Sequence, residues 1–255
     1  MELEPLVVIW NPSVRKCVGI VIPNVLHSKV GYTRIGFGVC HDTNDPKLVK
    51  INVVETPSRC WEVQVFTLSS RVWKTVFTGA PFTSCHLFLD NVFIDGIIYW
   101  LSHGSFILSF DLKSEKFVEV CIPEISGHTY DLCLAKVNES LGLLEFYSEG
   151  GLSVCGVWMK KDGVNQPFTK IYTVKVEGKS VFSYRVLGFR NNGEVLLHLD
   201  DDDDDDDSKG FPIEVYEPSS GCINSVGISG ESHTFFMGSY METLLLLDQS
   251  NSIIH

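Results

Sequence analysis

Five stretches of the chain share one pattern of apolar and polar positions. Each has two or more apolar residues, an aromatic, a turn of small or polar residues, and an apolar residue about seven places on. The first is Val7-Val8-Ile9-Trp10-Asn11-Pro12-Ser13, with Cys17. The second is Val63-Gln64-Val65-Phe66-Thr67-Leu68-Ser69-Ser70, with Trp73. The third is Ile107-Leu108-Ser109-Phe110-Asp111-Leu112-Lys113-Ser114, with Phe117. The fourth, Val154-Cys155-Gly156-Val157-Trp158-Met159-Lys160-Lys161, reaches Phe168 only after an insertion. The fifth is Ile213-Glu214-Val215-Tyr216-Glu217-Pro218-Ser219-Ser220, with Ile223. The aromatics stand 56, 44, 48 and 58 residues apart, a spacing that loops of different length absorb.

The pattern predicts β-hairpins. An apolar or alternating run makes the first strand, Asn, Asp, Pro, Ser and Lys make the turn, and the second strand returns with its own apolar anchor. Between the hairpins lie further strand-like runs opened by glycine, at Gly96–Leu101, Gly142–Tyr147 and Gly193–Leu199. Helical periodicity with an N-cap is not found. Four strands in each repeat of about fifty residues, apolar on both sides, predict an all-β, β-propeller-like array of four-stranded antiparallel blades. The five aromatics are expected at equivalent places in successive blades. The blade count is left open, as is completeness at the N-terminus.

Composition narrows the class. Hydrophobic residues make up 44 % of the 255 positions and charged residues 20 %, which supports a buried core and argues against disorder. Of the net charge of −12, the run Asp200–Asp207 supplies eight, and the remainder is only −4. A basic stripe for phosphates is lacking, so nucleic acid is not an expected partner. The eight cysteines occur singly, several in apolar strands such as those holding Cys40, Cys121 and Cys133, and are read as reduced core thiols. Neither a signal peptide nor an apolar run long enough to span a bilayer is visible, so a cytoplasmic or nuclear address is expected and a membrane is not.

Six pieces in order resemble one family. Trp10-Asn11-Pro12-Ser13-Val14-Arg15-Lys16 is similar to the "WNPSTRK" element of plant F-box-associated domains. Tyr32–Gly38 with Asp42 and Lys47–Ile51 resembles the "GFGYD … DYKVV" stretch, and Val63–Trp73 resembles "EVYSLKSDSW". Asn91–Leu101 resembles "GVFVNGALHWL", Ile107–Leu112 with Glu115–Phe117 resembles "IVSFDLSDEKF", and Val157-Trp158-Met159 resembles "IWVMKEYG". The resemblance runs from about residue 7 to the last strands. It implies a single F-box-associated β-propeller domain over 1–255, within which like-charge repulsion makes 200–209 an acidic mobile loop. It further implies a protein-interaction domain, the substrate-recognition part of an SCF-type (Skp-cullin-F-box) ubiquitin ligase. Family members carry an F-box ahead of the propeller and a "GLLCL"-like strand before the first repeat. Both are missing ahead of Trp10, so contact with the Skp adaptor and cullin is not encoded here, an open sheet edge is expected, and a truncated sequence is the favoured explanation.

No catalytic, cofactor-binding or metal-binding residue is assigned, no cofactor is expected, and the target-binding residues are unknown. Cys85-His86 is an adjacent Cys-His pair, and neighbouring strand residues point to opposite faces. His198 and Asp200 have one-face spacing but read as a solvated strand edge. Asp200–Asp207 lacks the spaced ligands and glycine of a calcium loop and reads as a tolerated surface insertion. Gly36-Phe37-Gly38 lacks the third glycine of a dinucleotide fingerprint. Asp90, Asp95, Asp111 and Asp131 are the candidate acids of a propeller glycosidase or lyase, with Asp111 read as a turn residue. Asn138-Glu139-Ser140 matches a glycosylation sequon without a secretory signal. The alternatives to the ligase reading are therefore a propeller-fold glycosidase or lyase, and an F-box-less scaffold or decoy.

Overall fold

The computed structural model describes residues 5–23, 30–54, 60–79, 86–103, 106–125, 131–161, 167–176, 184–199, 211–230, 238, 240, 242–250 and 252–254. These residues contain nineteen strands and no α-helix. Four sheets have four antiparallel strands each, in simple meander order. The second sheet holds β3 (Val30–Cys40), β4 (Asp45–Val54), β5 (Cys60–Thr67) and β6 (Val72–Gly79). The third holds β7 (Leu87–Ile94), β8 (Ile97–Ser102), β9 (Phe106–Asp111) and β10 (Lys116–Cys121). The fourth holds β11 (Leu132–Val137), β12 (Ser140–Glu149), β13 (Leu152–Lys160) and β14 (Phe168–Val176). The fifth holds β15 (Tyr184–Phe189), β16 (Val195–Leu199), β17 (Phe211–Tyr216) and β18 (Ile223–Gly230). The first sheet departs from this plan. It has three strands in the order β1 (Leu6–Asn11), β2 (Lys16–Val21), β19 (Ser252–Ile254), and β19 runs parallel to β2.

The predicted hairpins are present in register. Trp10 faces Cys17, Phe66 faces Trp73, Phe110 faces Phe117 and Tyr216 faces Ile223 across their strand pairs. Ring centroids of Phe66 and Trp73 lie 5.4 Å apart, and those of Phe110 and Phe117 4.8 Å, so the aromatic anchors touch directly. The fourth hairpin differs: Trp158 opposes Lys170, whereas Phe168 opposes Lys160, with the register shifting between Val157 and Trp158. The expected Trp158–Phe168 correspondence is therefore corrected, because the insertion lengthens the connection and a bulge resets the pairing.

A backbone rule emerges from the turns. The residue five after the aromatic takes a left-handed conformation in four hairpins: Arg15 (φ 52°), Arg71 (φ 56°), Glu115 (φ 54°) and Gly221 (φ 71°). In three of them its N–H donates to the carbonyl four residues back, at 2.9 Å for Arg71, 2.8 Å for Glu115 and 2.8 Å for Gly221. Asp111 completes its turn by accepting the N–H of Lys113 at 2.7 Å and of Ser114 at 3.2 Å. The Asp95-Gly96 and Asn138-Glu139 turns have positive φ at both residues, the type I′ geometry that matches strand twist.

Contacts divide the chain into two compact units. One comprises Met1–Ile35, Leu48–Pro81 and Ser239–His255; the other comprises Gly36–Lys47 and Phe82–Gly238. The core of the first gathers Ile9, Val18, Ile20, Leu48, Phe66, Leu68, Leu246 and Ile254. In the second, the fourth sheet is buried on both faces. Leu141, Leu143 and Phe168 pack with Ile94, Leu101 and Ile107 of the third sheet, while Leu144, Cys155 and Val157 pack with Tyr184, Val195 and Leu197 of the fifth. Leu143 and Leu144 are neighbours in sequence that point to opposite faces, which is why these strands are apolar throughout.

Gly36 and Gly38 belong to this second core rather than to a phosphate loop. A Cβ on Gly36 would stand 2.5 Å from Trp100 Cζ2, and one on Gly38 2.5 Å from the Phe93 ring and 2.8 Å from Leu112. The glycines thus let two aromatic rings lie directly on β3. Gly38→Ala is expected to lower stability by about 1–3 kcal/mol through overpacking, measured by urea denaturation. A variant as stable as wild type would contradict this packing.

Candidate interaction surface

Four observations define what the surface offers. The first is an apolar face on the first sheet. Leu6, Val8 and Trp10 alternate along β1 and are 47 %, 56 % and 67 % exposed, and Ile253 on β19 is 58 % exposed. They share a face because Val8 and Ile253 both lie opposite Gly19, and a Cβ there would touch Ile253 and Leu6 at 3.3 Å. The opposite face, with Ile9, Val18, Ile20 and Ile254, is buried. The equivalents of Trp10 are covered: Phe66 is 1 % exposed, Phe110 0 % and Tyr216 5 %. Trp10, Phe66, Phe110 and Tyr216 therefore hold equivalent hairpin positions, with Trp158 set apart by its bulge, but Trp10 does not share the burial of Phe66, Phe110 and Tyr216. A contiguous exposed apolar face of this kind marks an interaction site.

A second feature is an exposed ionic lattice at the turns of the second unit. Lys113 Nζ reaches Asp42 and holds its carboxyl below the usual range through that hydrogen bond, while Lys113 is raised in return. Lys47 is more enclosed and donates to Leu112 O at 2.8 Å and to Glu115 Oε1 at 3.0 Å. These contacts stitch the β3–β4 turn and the start of β4 to the turn after β9. Asp95, 3.9 Å from His41, is a turn residue and largely exposed.

The third feature is a partly buried polar network on the fourth sheet. Glu145, on β12, accepts the indole N–H of Trp158 at 3.0 Å and lies 3.6 Å from Lys170 Nζ. Lys170 donates to Tyr147 Oη at 3.1 Å and sits over the Tyr147 and Trp158 rings, at 4.9 Å and 5.4 Å. Burial works against this ammonium, but the bonds to Tyr147 and Glu145 outweigh it and raise its affinity for the proton. Gly156 makes room, since a Cβ there would come 2.6 Å from Lys170 Cε. Lys50, buried on β4 of the first unit, donates to the Pro23 carbonyl, and its ammonium is pushed below the lysine range by burial despite Glu62.

The fourth feature is the C-terminal segment. Asn11 Nδ2 donates to Leu245 O at 2.6 Å and Thr243 O at 3.1 Å, and its Oδ1 accepts from Tyr240 at 2.8 Å. The WNPS asparagine thus fastens Tyr240, Thr243 and Leu245 to the first hairpin.

Several sequence expectations change here. His198 is buried at 4 % exposure, edge-on to Phe211 at 5.9 Å, and is not a solvated edge residue. β16 is flanked by β15 and β17, so it is an inner strand and not a sheet edge. Cys40 and Cys155 are buried thiols, and burial pushes Cys155 far above the ordinary thiol range. Cys121 and Cys133 are exposed instead, because alternate positions of an edge strand face solvent. All seven described cysteines are free. Asp200–Asp207 and Cys85 lie outside the described residues. No cluster of three metal-ligating side chains occurs among the described residues. Sequence reading did not single out Glu145 or Lys50, although each interrupts an apolar strand, the signal that would have found them.

The family model for the F-box associated beta propeller domain matches residues 2–245. The chain belongs to this family. The all-β fold of four-stranded antiparallel blades agrees with the beta propeller of the family name. Among curated relatives in Arabidopsis thaliana, F-box protein At2g21930 is 23 % identical over 240 residues, covering 89 % of this chain and 58 % of the relative. F-box/LRR-repeat/kelch-repeat protein At2g27520 is 33 % identical over 102 residues, covering 39 % of this chain and 29 % of the relative. The chain therefore spans 58 % or less of these relatives' length. Among solved structures, an oligogalacturonate lyase with manganese aligns at TM-score 0.46 and 12 % identity, covering 86 % of this chain and 57 % of the other. A WD40 domain of SCAP from fission yeast aligns at TM-score 0.42 and 10 % identity, covering 88 % of this chain and 57 % of the other.

The Glu145 network yields a direct prediction. Glu145→Leu removes the acceptor of a half-buried indole N–H and should cost about 1–3 kcal/mol of stability. Glu145→Gln keeps an acceptor and should cost less. Equal losses in the two variants, read by urea midpoints, would show that the bond to Trp158 carries no weight.

Proposed function

We propose that this F-box associated domain is the substrate-recognition part of an SCF-type ubiquitin ligase, a protein-interaction module with no catalytic chemistry of its own. The match of residues 2–245 to the F-box associated beta propeller domain, with relatives named as F-box proteins, carries the reading. The site chemistry agrees with it. Asp111 is engaged by its own turn, Asp95 sits exposed in another, and the exposed side chains offer apolar and ionic contact to a protein surface. Transfer of ubiquitin belongs to other subunits, and docking to a Skp adaptor and cullin requires an F-box. A cytoplasmic or nuclear location fits this role.

The test is a reconstituted ligase. The chain is fused behind a plant F-box, assembled with Skp adaptor, cullin and ubiquitin-conjugating enzyme, and offered proteins first captured by the chain alone. The expected result is ubiquitination of a captured protein by the fusion and not by the F-box alone. No modified target in this assay, together with hydrolysis or elimination on a panel of glycosides and uronates, would replace the reading with the enzyme alternative.

A further inference from the structure

We propose that Asn192 is a site of spontaneous covalent modification, at which the β15–β16 turn converts to isoaspartate through a cyclic imide. This goes beyond the recognition role and does not depend on it.

The turn holds the residues the reaction needs. Asn192-Gly193 is the single Asn-Gly step in the chain. The backbone nitrogen that follows an asparagine can attack its side-chain amide, and glycine hinders that nitrogen least because it has no Cβ. Gly193 lies at φ 87°, with no atom beyond its chain neighbours within 4 Å of where a Cβ would stand. Asn192 is exposed and lies between β15 and β16, outside both strands. The other described asparagines lack one or more of these features. Asn11 and Asn52 are buried, and Asn91 and Asn224 lie within β7 and β18. Asn44, Asn138 and Asn191 are exposed turn residues, but they precede Asp45, Glu139 and Asn192.

The local geometry also prepares the amide. Asn192 Oδ1 accepts the N–H of Glu194 at 3.2 Å, the bond of a side chain folded over the two residues after it. That N–H draws electrons from Cγ and already sits on the oxygen where negative charge develops as the ring closes. One bond opposes the reaction. Gly193 N–H donates to the Arg190 carbonyl at 2.9 Å and keeps the nucleophile protonated. Attack therefore waits on local opening of the turn. Arg190 and Glu194 close the base of the turn with a backbone bond and an ion pair, each at 2.9 Å, so the opening is confined to residues 191–193.

The step balances with water alone. The deprotonated Gly193 nitrogen forms a bond to Asn192 Cγ, and the tetrahedral intermediate expels Nδ2, which leaves as ammonia after taking protons from solvent. Water then opens the five-membered imide at either carbonyl, giving isoaspartate or aspartate. The product carries one more negative charge beside Glu194, where it competes for Arg190. In its iso form it also carries an extra methylene in the main chain.

Ageing the full chain in neutral and in mildly alkaline buffer, followed by peptide mass spectrometry, tests the proposal. Asn192 should show the mass change of an amide-to-acid conversion at least about ten times as fast as Asn44, Asn138 or Asn191. The conversion should quicken in the alkaline buffer, because the attacking nitrogen must lose its proton. A protein isoaspartate methyltransferase with a labelled methyl donor should mark the aged chain and not the fresh one. Asn192→Ser keeps a turn-forming side chain and should abolish both signals while leaving the far-ultraviolet circular dichroism unchanged. Conversion of Asn192 no faster than that of Asn44 or Asn138 overturns the proposal. Aspartate formed without any methyl acceptance overturns it too, since the imide would not have formed, and so does labelling that persists in Asn192→Ser.

Discussion

The structure depends on one cross-strand contact repeated along the chain: a large apolar residue in the third strand of a sheet, held between an aliphatic on the second strand and an anchor on the fourth. Phe110 between Ile98 and Phe117 is the plainest instance. Burying such a side chain is worth about 1.5–3 kcal/mol, and packing it against both neighbours fixes the register of three strands at once. A slip of one residue would turn every apolar position to the wrong face. The tight turns then follow from the register, including the left-handed residue five places after the aromatic, which three of four hairpins accept without glycine. Their strain is local, about 1–2 kcal/mol at most, and small beside the burial it permits.

Polar groups inside this scheme are placed where the contact leaves room. Glu145 and Lys170 lie over Gly156, a position where any side chain would displace the lysine stem. The Glu145 carboxylate is tied to Trp158, so the fourth hairpin, in which Lys170 rather than an apolar residue opposes the aromatic, is fastened by a hydrogen bond and a cation over its ring instead. Asn11 does comparable work in the first sheet, where its amide joins the hairpin to residues nearly the whole chain length away.

Much of this was legible in the sequence. The five hairpins, four of the five cross-strand partners, the turn role of Asp111 and the all-β class follow from period-two patterning and turn chemistry, both local properties. The failures share a cause of the opposite kind. That β19 would run parallel to β2, that Trp10 would be exposed while Phe66 and Phe110 are not, and that His198 would be covered all depend on which strand lies next to which. Pairings across 230 residues leave no trace in a window of ten. Cys121 and Cys133 make the same point: within an apolar run, only the neighbouring strands decide which alternate position faces solvent.

Hydrogen exchange read by mass spectrometry tests the central contact most directly. If the third strands are clamped on both sides, amides of Ile107–Phe110 and Ile213–Tyr216 should be the slowest in their sheets. Amides of the outer strands β10 and β18 should then exchange faster, since one of their edges is open. Outer strands as protected as the third strands, or more so, would contradict the account.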